Sequence, residues 1–530
     1  MPKKESALRS GSLLVLAVAV VLTLAGCGRS KSGSGQMQPT QQSDTSSQVQ
    51  SQAPTEPAKE TVKNAVLLDA LPFENGYAWV LTEQGVSLID KEGSILFTET
   101  QKHDLKNLNP VIDGMTYYSI GDTTNVSSSD GGAAQGYSVI RDKNGEVLYS
   151  DQEANASDAQ TKRHAGIVGY GDGQFIEAVS VSDMNSSGWT IHVIDKSGKE
   201  LKTPLPYKDT TSDGGPTKFS YWGQGVFGGD EDFTTYDTTA NKTYFFNDEP
   251  FFDGKLITPF KGGYALELAD FEYHDKNDDL LHYYGIVRVA RKDIGVSLDD
   301  QPRVYYDSKS SYPGTPIADF TPYKVGPDNF FAYDGSVFVG NAKILDKDHG
   351  VFLDAKGQQA FTYKTQRPWQ VIGADGGYYE IKIEGADNAS YVTVIDNKGT
   401  QQFAPIKAAF PSDFADFNGT LQEGYFITRI VTDAGESLAI INVKGEEAPL
   451  ASWLPSEAQV TDVSAFSSGY SLVTITAPGA NSATGAPRRA VFVGTDGQVK
   501  FGSLNGYESS SDAQPGSSEL SAGHPDISGQ

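Results

Sequence analysis

The 530-residue sequence predicts an all-β protein assembled from short antiparallel strands, and three observations carry that prediction. Short runs of alternating apolar residues recur from about residue 64 to residue 506, the period of a strand with one face buried. Pairs of these runs are joined by four-residue turns that end in glycine. The chain beyond its N-terminal segment lacks the 3.6-residue apolar period of amphipathic helices, which argues against an α/β solute-binding architecture.

The turns are the clearest element. VSLIDKEGSILF (86–97), YSVIRDKNGEVLY (137–149), IHVIDKSGKEL (191–201), GVFLDAKGQQAF (350–361), VTVIDNKGTQQF (392–403), LAIINVKGEEA (438–448) and VFVGTDGQVKF (491–501) share one pattern. Asp90, Asp142, Asp195, Asp354 and Asp396, with Asn442 as their chemical equivalent, stand first in the turn, where the side chain bonds the backbone ahead of it. Gly93, Gly145, Gly198, Gly357, Gly399, Gly445 and Gly497 stand fourth, where a left-handed conformation closes a type I turn with a bulge. These carboxylates are therefore read as turn formers and not as catalytic groups.

A second element precedes each hairpin: a glycine followed by an aromatic or apolar strand, as in ENGYAWVL, GDGQFIEAVS, DGGYYEIKI and SSGYSLVTI. Nine such marks between Gly76 and Gly469 give a mean spacing of about 49 residues, the size of a propeller blade of three or four strands. The sequence therefore predicts a β-propeller of eight blades, within a range of seven to nine. The hairpin signal weakens from Thr203 to Lys343, where long loop insertions are expected.

The segment PFENGYAWVLTEQGVSLIDKEGSILF (72–97) resembles a bacterial WG repeat through Pro72, Phe73, Gly76, Tyr77, Ala78, Gly85, Ile89, Asp90 and Gly93. It departs from that pattern in having Gln84 where a tryptophan would precede Gly85. The resemblance implies β repeats and carries no particular activity.

The N-terminus has a different character. Lys3, Lys4 and Arg9 precede an apolar run from Leu13 to Leu22 and then small residues, the order of an export signal. The run is shorter than the roughly 20 residues needed to span a bilayer. It ends in Leu24-Ala25-Gly26-Cys27, which resembles the lipobox of bacterial lipoproteins. That resemblance implies cleavage before Cys27, a diacylglyceryl group on its sulfur, and residence on the outer side of a cell membrane. Cys27 is the single cysteine of the chain, so no intramolecular disulfide is available and stability must come from an apolar core. The expected organisation is a signal peptide (1–26), a lipidated cysteine with a disordered linker (27–63), the β-propeller (64–506) and a disordered tail (507–530). A flexible tether over residues 28–60, rich in Ser, Gln, Thr, Pro and Gly, has a reach of about 30 Å.

Charge narrows the partners. A formal net charge of −26 excludes the basic patch that nucleic acid requires and leaves the membrane to be reached through lipid. The chain contains no H-E-x-x-H, no G-x-S-x-G, no phosphate-binding P-loop and no cysteine pair for zinc. Asp275, Asn277 and Asp279 in EYHDKNDDLLH (272–282) have the alternating oxygens that open a calcium loop, although Leu280 stands where glycine is needed and Ile286 where a closing glutamate would stand. They are the candidate metal ligands, and calcium the candidate ion. Trp222 and Trp369 are the candidate ligand-stacking aromatics, with core packing as the competing assignment. The functional expectation is a binding or scaffolding module for protein, peptide or wall glycan. A propeller enzyme (lyase, lactonase or glycosidase) with carboxylates at a central channel, and an envelope sensor, are the alternatives.

Overall fold

A computed structural model of the chain describes residues 60–504 apart from the stretches 100–104, 121–135, 153–161, 183–186, 208–217, 230–234, 245–254, 257–258, 275–279, 291–303, 306–330, 334–336, 345–346, 355–358, 387–388, 411–419, 451–452, 455–458 and 477–487. Cys27, the signal segment, the C-terminal tail, Asp275, Asn277, Asp279 and Gly357 lie outside the described residues.

The described residues are all-β, with one short 3-10 turn at Leu105–Asn107. They form nine successive antiparallel meanders, here called units 1 to 9. The units cover residues 69–99, 115–150, 162–207, 219–244, 255–305, 331–354, 369–409, 425–449 and 459–501. Unit 1 sets the pattern, with strands A (Asp69–Ala70), B (Tyr77–Thr82), C (Gly85–Asp90) and D (Ile95–Glu99) paired in that order. The same letters are used below for the corresponding strands of the other units. Units 6, 7 and 8 are continuous through sparse pairing, a single parallel pair His349↔Trp369 and the pairs Ala408↔Ile430 and Ala409↔Arg429.

Tyr-rich and β-branched strands suit this arrangement because each middle strand is buried on both faces. In unit 9, Leu472, Ala490 and Phe492 face one neighbour while Val473, Ile475, Val491 and Val493 face the other. Apolar layers of this kind join units 1 and 2, 2 and 3, 3 and 4, 4 and 5, 6 and 7, 7 and 8, and 8 and 9. Unit 9 packs on unit 1, so the first and last units meet.

The closing seam is made by the beginning of the described chain. The Ile95 amide donates to Glu60 O, and Thr61 pairs with Ser94. Val62 is buried and its carbonyl accepts from the Gly502 amide at 3.2 Å. Leu67 pairs with Ala490, whose amide donates to Leu67 O at 3.0 Å. The Phe73 ring lies 4.8 Å from Phe492, and the Tyr470 hydroxyl donates to Lys91 O at 2.9 Å. Residues 60–62, inside the stretch expected to be linker, are therefore already paired.

A second device recurs at the seams. The glycine of the C–D turn sits against a residue of the preceding unit, with no room for a Cβ: Gly145 on Phe97, Gly198 on Tyr149, Gly445 on Phe403, and Gly93 of unit 1 on Phe501 of unit 9. The glycine thus serves the turn and the seam together.

Candidate functional site

The best-defined feature among the described residues is the circle of A–B turns. The described A–B connections are two-residue hairpin loops with both residues at positive φ, the geometry of a type I′ turn. The pairs include Asn75-Gly76, Asp113-Gly114, Asp172-Gly173, Gly376-Gly377, Glu423-Gly424 and Ser468-Gly469. In the first of them the Glu74 amide donates to Tyr77 O at 2.8 Å and the Tyr77 amide to Glu74 O at 3.0 Å. Asparagine and aspartate tolerate the left-handed conformation because a short polar side chain bonds locally.

Neighbouring turns are tied to one another. The Gly424 amide donates to Asp375 Oδ2, the Ser468 and Gly469 amides donate to the Glu423 carboxylate, and the Gly76 amide donates to Ser468 Oγ. Onward from unit 1, Asn75 Nδ2 donates to Val111 O and the Tyr170 hydroxyl to Asp113 Oδ2 at 2.7 Å. The links run from unit 7 through units 8, 9 and 1 to units 2 and 3. Lys218, at the start of unit 4, acts electrostatically on Glu74 of unit 1. Burial there raises the Glu74 carboxyl above its ordinary value, and the Lys218 ammonium partly offsets the rise.

The C–D turns form as their sequence predicts. Asp90 Oδ1 accepts from the Glu92 and Ser94 amides at 3.0 and 2.8 Å. Asp142, Asp195, Asp396 and Asn442 repeat the arrangement two and four residues ahead. The Ser197 hydroxyl and the amides of Ser197 and Lys199 hold the Asp195 carboxyl below its ordinary value. A turn that the sequence hides lies in unit 4, where Asp237 accepts from the Thr239 and Ala240 amides and Asn241, at φ 49°, supplies the left-handed residue one position later than the glycine of the other turns.

Buried carboxylates are the groups that sequence reading missed. Glu380 on strand B of unit 7 accepts from the Leu421 amide of unit 8 at 3.0 Å, in space left by Gly373. Burial pushes its carboxyl up to about 8. Glu177 accepts from the Tyr149 hydroxyl at 2.8 Å and is pushed up to about 7, again by burial first. Glu99 accepts from the Tyr118 hydroxyl and from Arg141 Nη2 at 3.1 Å. In each case a unit's carboxylate is held by a neighbouring unit, and no local motif marks it.

Trp369 is 6% exposed, between Phe352 (ring centroids 5.9 Å apart, stacked) and Tyr363 (5.3 Å, edge-on). Trp222 is half-buried beside Val226, Phe260 and Ala265, and its carbonyl accepts from the Phe260 amide. The two lie in different seams and the structure does not bring them together. Among the described residues no group of three or more His, Cys, Asp or Glu side chains is placed to hold a metal ion. No described helix is long and apolar enough to cross a membrane.

No family profile and no curated protein sequence matches the chain. Solved structures with some likeness include a chain from a study of two prolyl endopeptidases (12% identity, TM-score 0.32, covering 75% of this chain and 48% of that one). Two others are of prolyl oligopeptidase B from Galerina marginata. The apo protein has 11% identity and a TM-score of 0.31, covering 70% of this chain and 55% of that one. A complex with a 25-residue macrocyclisation substrate has 10% identity and a TM-score of 0.32, covering 78% and 56%. The chain spans about half the length of these structures, and no functional residue is carried over from them.

Proposed function

We propose that the chain is a lipid-anchored, extracytoplasmic β-propeller of nine blades that serves as a binding or scaffolding module for a protein, peptide or wall-glycan partner. The observation that carries this reading is the packing of the first of nine successive meanders on the last, with the start of the described chain seated on the last unit.

The asymmetry of the connections supports a binding role. In an antiparallel meander the A–B and C–D turns leave from one end of the unit, and the B–C and unit-to-unit connections leave from the other. The first end is uniform, made of two-residue and four-residue turns whose polar groups are satisfied locally. At the second end the strands B and C are separated by unequal lengths of chain, two residues in unit 1 (Thr82 to Gly85) and 16 in unit 2 (Ile120 to Tyr137). Loops of different length and composition on a rigid frame are where recognition surfaces are built. The carboxylates of the turn circle are spent on neighbouring amides and phenols, which favours a structural use over proton transfer at those positions.

A photo-crosslinking residue introduced at single sites in living cells tests the reading. Crosslinks to a common partner are expected from Glu83 and Gly435, at the B–C end. They are not expected from Lys91 or Lys444 at the turn end. Crosslinks only from the turn end would contradict the assigned face, and turnover of a wall-derived substrate by the purified protein would favour the enzyme alternative.

A further inference from the structure

Units 8 and 9 meet in an apolar layer built from Ile427, Leu438 and Ile440 on one side and Val473, Ile475, Val491 and Val493 on the other. Side chains alternate along a strand, so Arg429, two residues beyond Ile427 and opposite Leu438, belongs to this layer. Arg489, two residues before Val491 and opposite Ile475, belongs to it from the facing sheet. Both stand toward the end of their units that carries the B–C connections, where the apolar layer stops. In a chain of formal net charge −26, two guanidinium groups from different sheets are therefore directed into one seam.

Their bonding is incomplete. The Nε atoms of both residues are buried without a hydrogen-bond partner. Arg489 Nη1 donates only to the adjacent Arg488 carbonyl at 2.9 Å. The ion pairs among the described residues, such as Arg141–Glu99 and Lys500–Asp496, involve neither arginine. A buried donor left unsatisfied costs stability that a ligand accepting from it would restore. Both side chains are half-buried, so their stems are packed while their heads remain within reach of solvent.

We propose that Arg429 and Arg489 form a phosphate-binding site in the seam between units 8 and 9. A planar carboxylate matches one guanidinium fork. A tetrahedral phosphoryl group presents oxygens in several directions and accepts from two forks on two facing sheets. Inorganic phosphate and a phosphate ester share that chemistry. The proposal rests on the packing of these two units alone and is independent of the lipid anchor.

Titration of the full chain with inorganic phosphate and with sn-glycero-3-phosphoglycerol, each followed by calorimetry and by 31P line width, tests it. Sodium chloride at matched ionic strength is the reference. Saturable binding is expected, weakened about tenfold or more by either Arg429→Gln or Arg489→Gln, the loss of one charge-assisted contact. Lys444→Gln, on an exposed turn, is expected to leave it unchanged. Tighter binding of the diester would identify an esterified group as the ligand, and preference for the ion would identify free phosphate. Should a glutamine variant fail to fold, Arg429→Lys and Arg489→Lys keep the charge, lose the fork, and are expected to give intermediate affinity. Equal effects of phosphate and chloride, or affinity unchanged in the arginine variants, would overturn the proposal.

Discussion

Glu380 shows how much a single side chain depends on the unit beside it. Its carboxyl is fully enclosed, accepts from the Leu421 amide, and is pushed up to about 8 by burial, with the Leu421 bond pulling the other way. A raised carboxyl value means the folded state prefers the neutral form. Its stabilising contribution is therefore complete below the ordinary value of 4.5 and is lost as pH rises from there to about 8. The slope from this one group is at most about 1.4 kcal/mol per pH unit. Glu380→Gln keeps an acceptor for Leu421 and removes the charge. Urea midpoints measured from pH 5 to 9 are expected to fall for the wild type and to be flatter for the variant, with the variant more stable at pH 9. Parallel curves would show that Glu380 is not the titrating group. Nothing in GGYYEIKI marks this residue as buried, because its partner lies 41 residues away in sequence.

Two glycines separate turn chemistry from seam chemistry. Gly76 has φ +86° and open space around the position of a Cβ, so Gly76→Ala meets only the left-handed penalty of about 1–2 kcal/mol. Gly445 has φ +81°, and a Cβ there falls 2.6 Å from the Phe403 ring. Overpacking adds about 1–3 kcal/mol to the same backbone penalty, so Gly445→Ala is expected to be the more destabilising in urea unfolding. Equal costs would mean that the glycine–aromatic seats do not hold the units together.

At the scale of the element, the turns were legible and the seams were not. The Asp-x-x-Gly turns are set by residues within five positions of one another, and Asp90, Asp142, Asp195 and Asp396 bond the amides that local chemistry assigns to them. The second repeated signal, glycine before an aromatic strand, corresponds to the type I′ turn between strands A and B. The C–D turn of unit 4 escaped because its left-handed residue is Asn241, one position beyond where the other turns place glycine. The pairing of residues 60 to 63 escaped because its partners, Ser94 and Gly502, are remote and not marked by local sequence. If that segment clasps the two ends together, Val62→Asp places an unpaired charge in the layer shared by units 1 and 9 and should cost several kcal/mol. Proteolysis is expected to cut the variant within residues 60–70 at protease levels the wild type withstands. An unchanged digest would remove the clasp.

At the scale of the molecule, the anchor and the body are separable claims. Cys27→Ser is expected to abolish fatty-acid labelling and detergent partitioning, since stable membrane residence requires two lipid signals and the acidic body supplies none. The melting temperature of the β body is expected to stay the same, because Cys27 lies outside the described β residues. Persistent labelling in the variant would show that the anchor lies elsewhere.

Closure of the nine units on themselves is the claim on which the rest depends, and Leu67 and Ala490 offer a direct measurement of it. They face each other as an antiparallel pair 423 positions apart, and such pairs hold Cα atoms about 4.5–5.5 Å apart, within the span of a disulfide. In a Cys27→Ser background, Leu67→Cys with Ala490→Cys supplies the chain's only two thiols. Oxidation of the native protein is expected to consume both, speed migration on a non-reducing gel, and raise the melting temperature by closing a very long loop. Two thiols that stay free and titratable in the folded, oxidised protein would contradict closure.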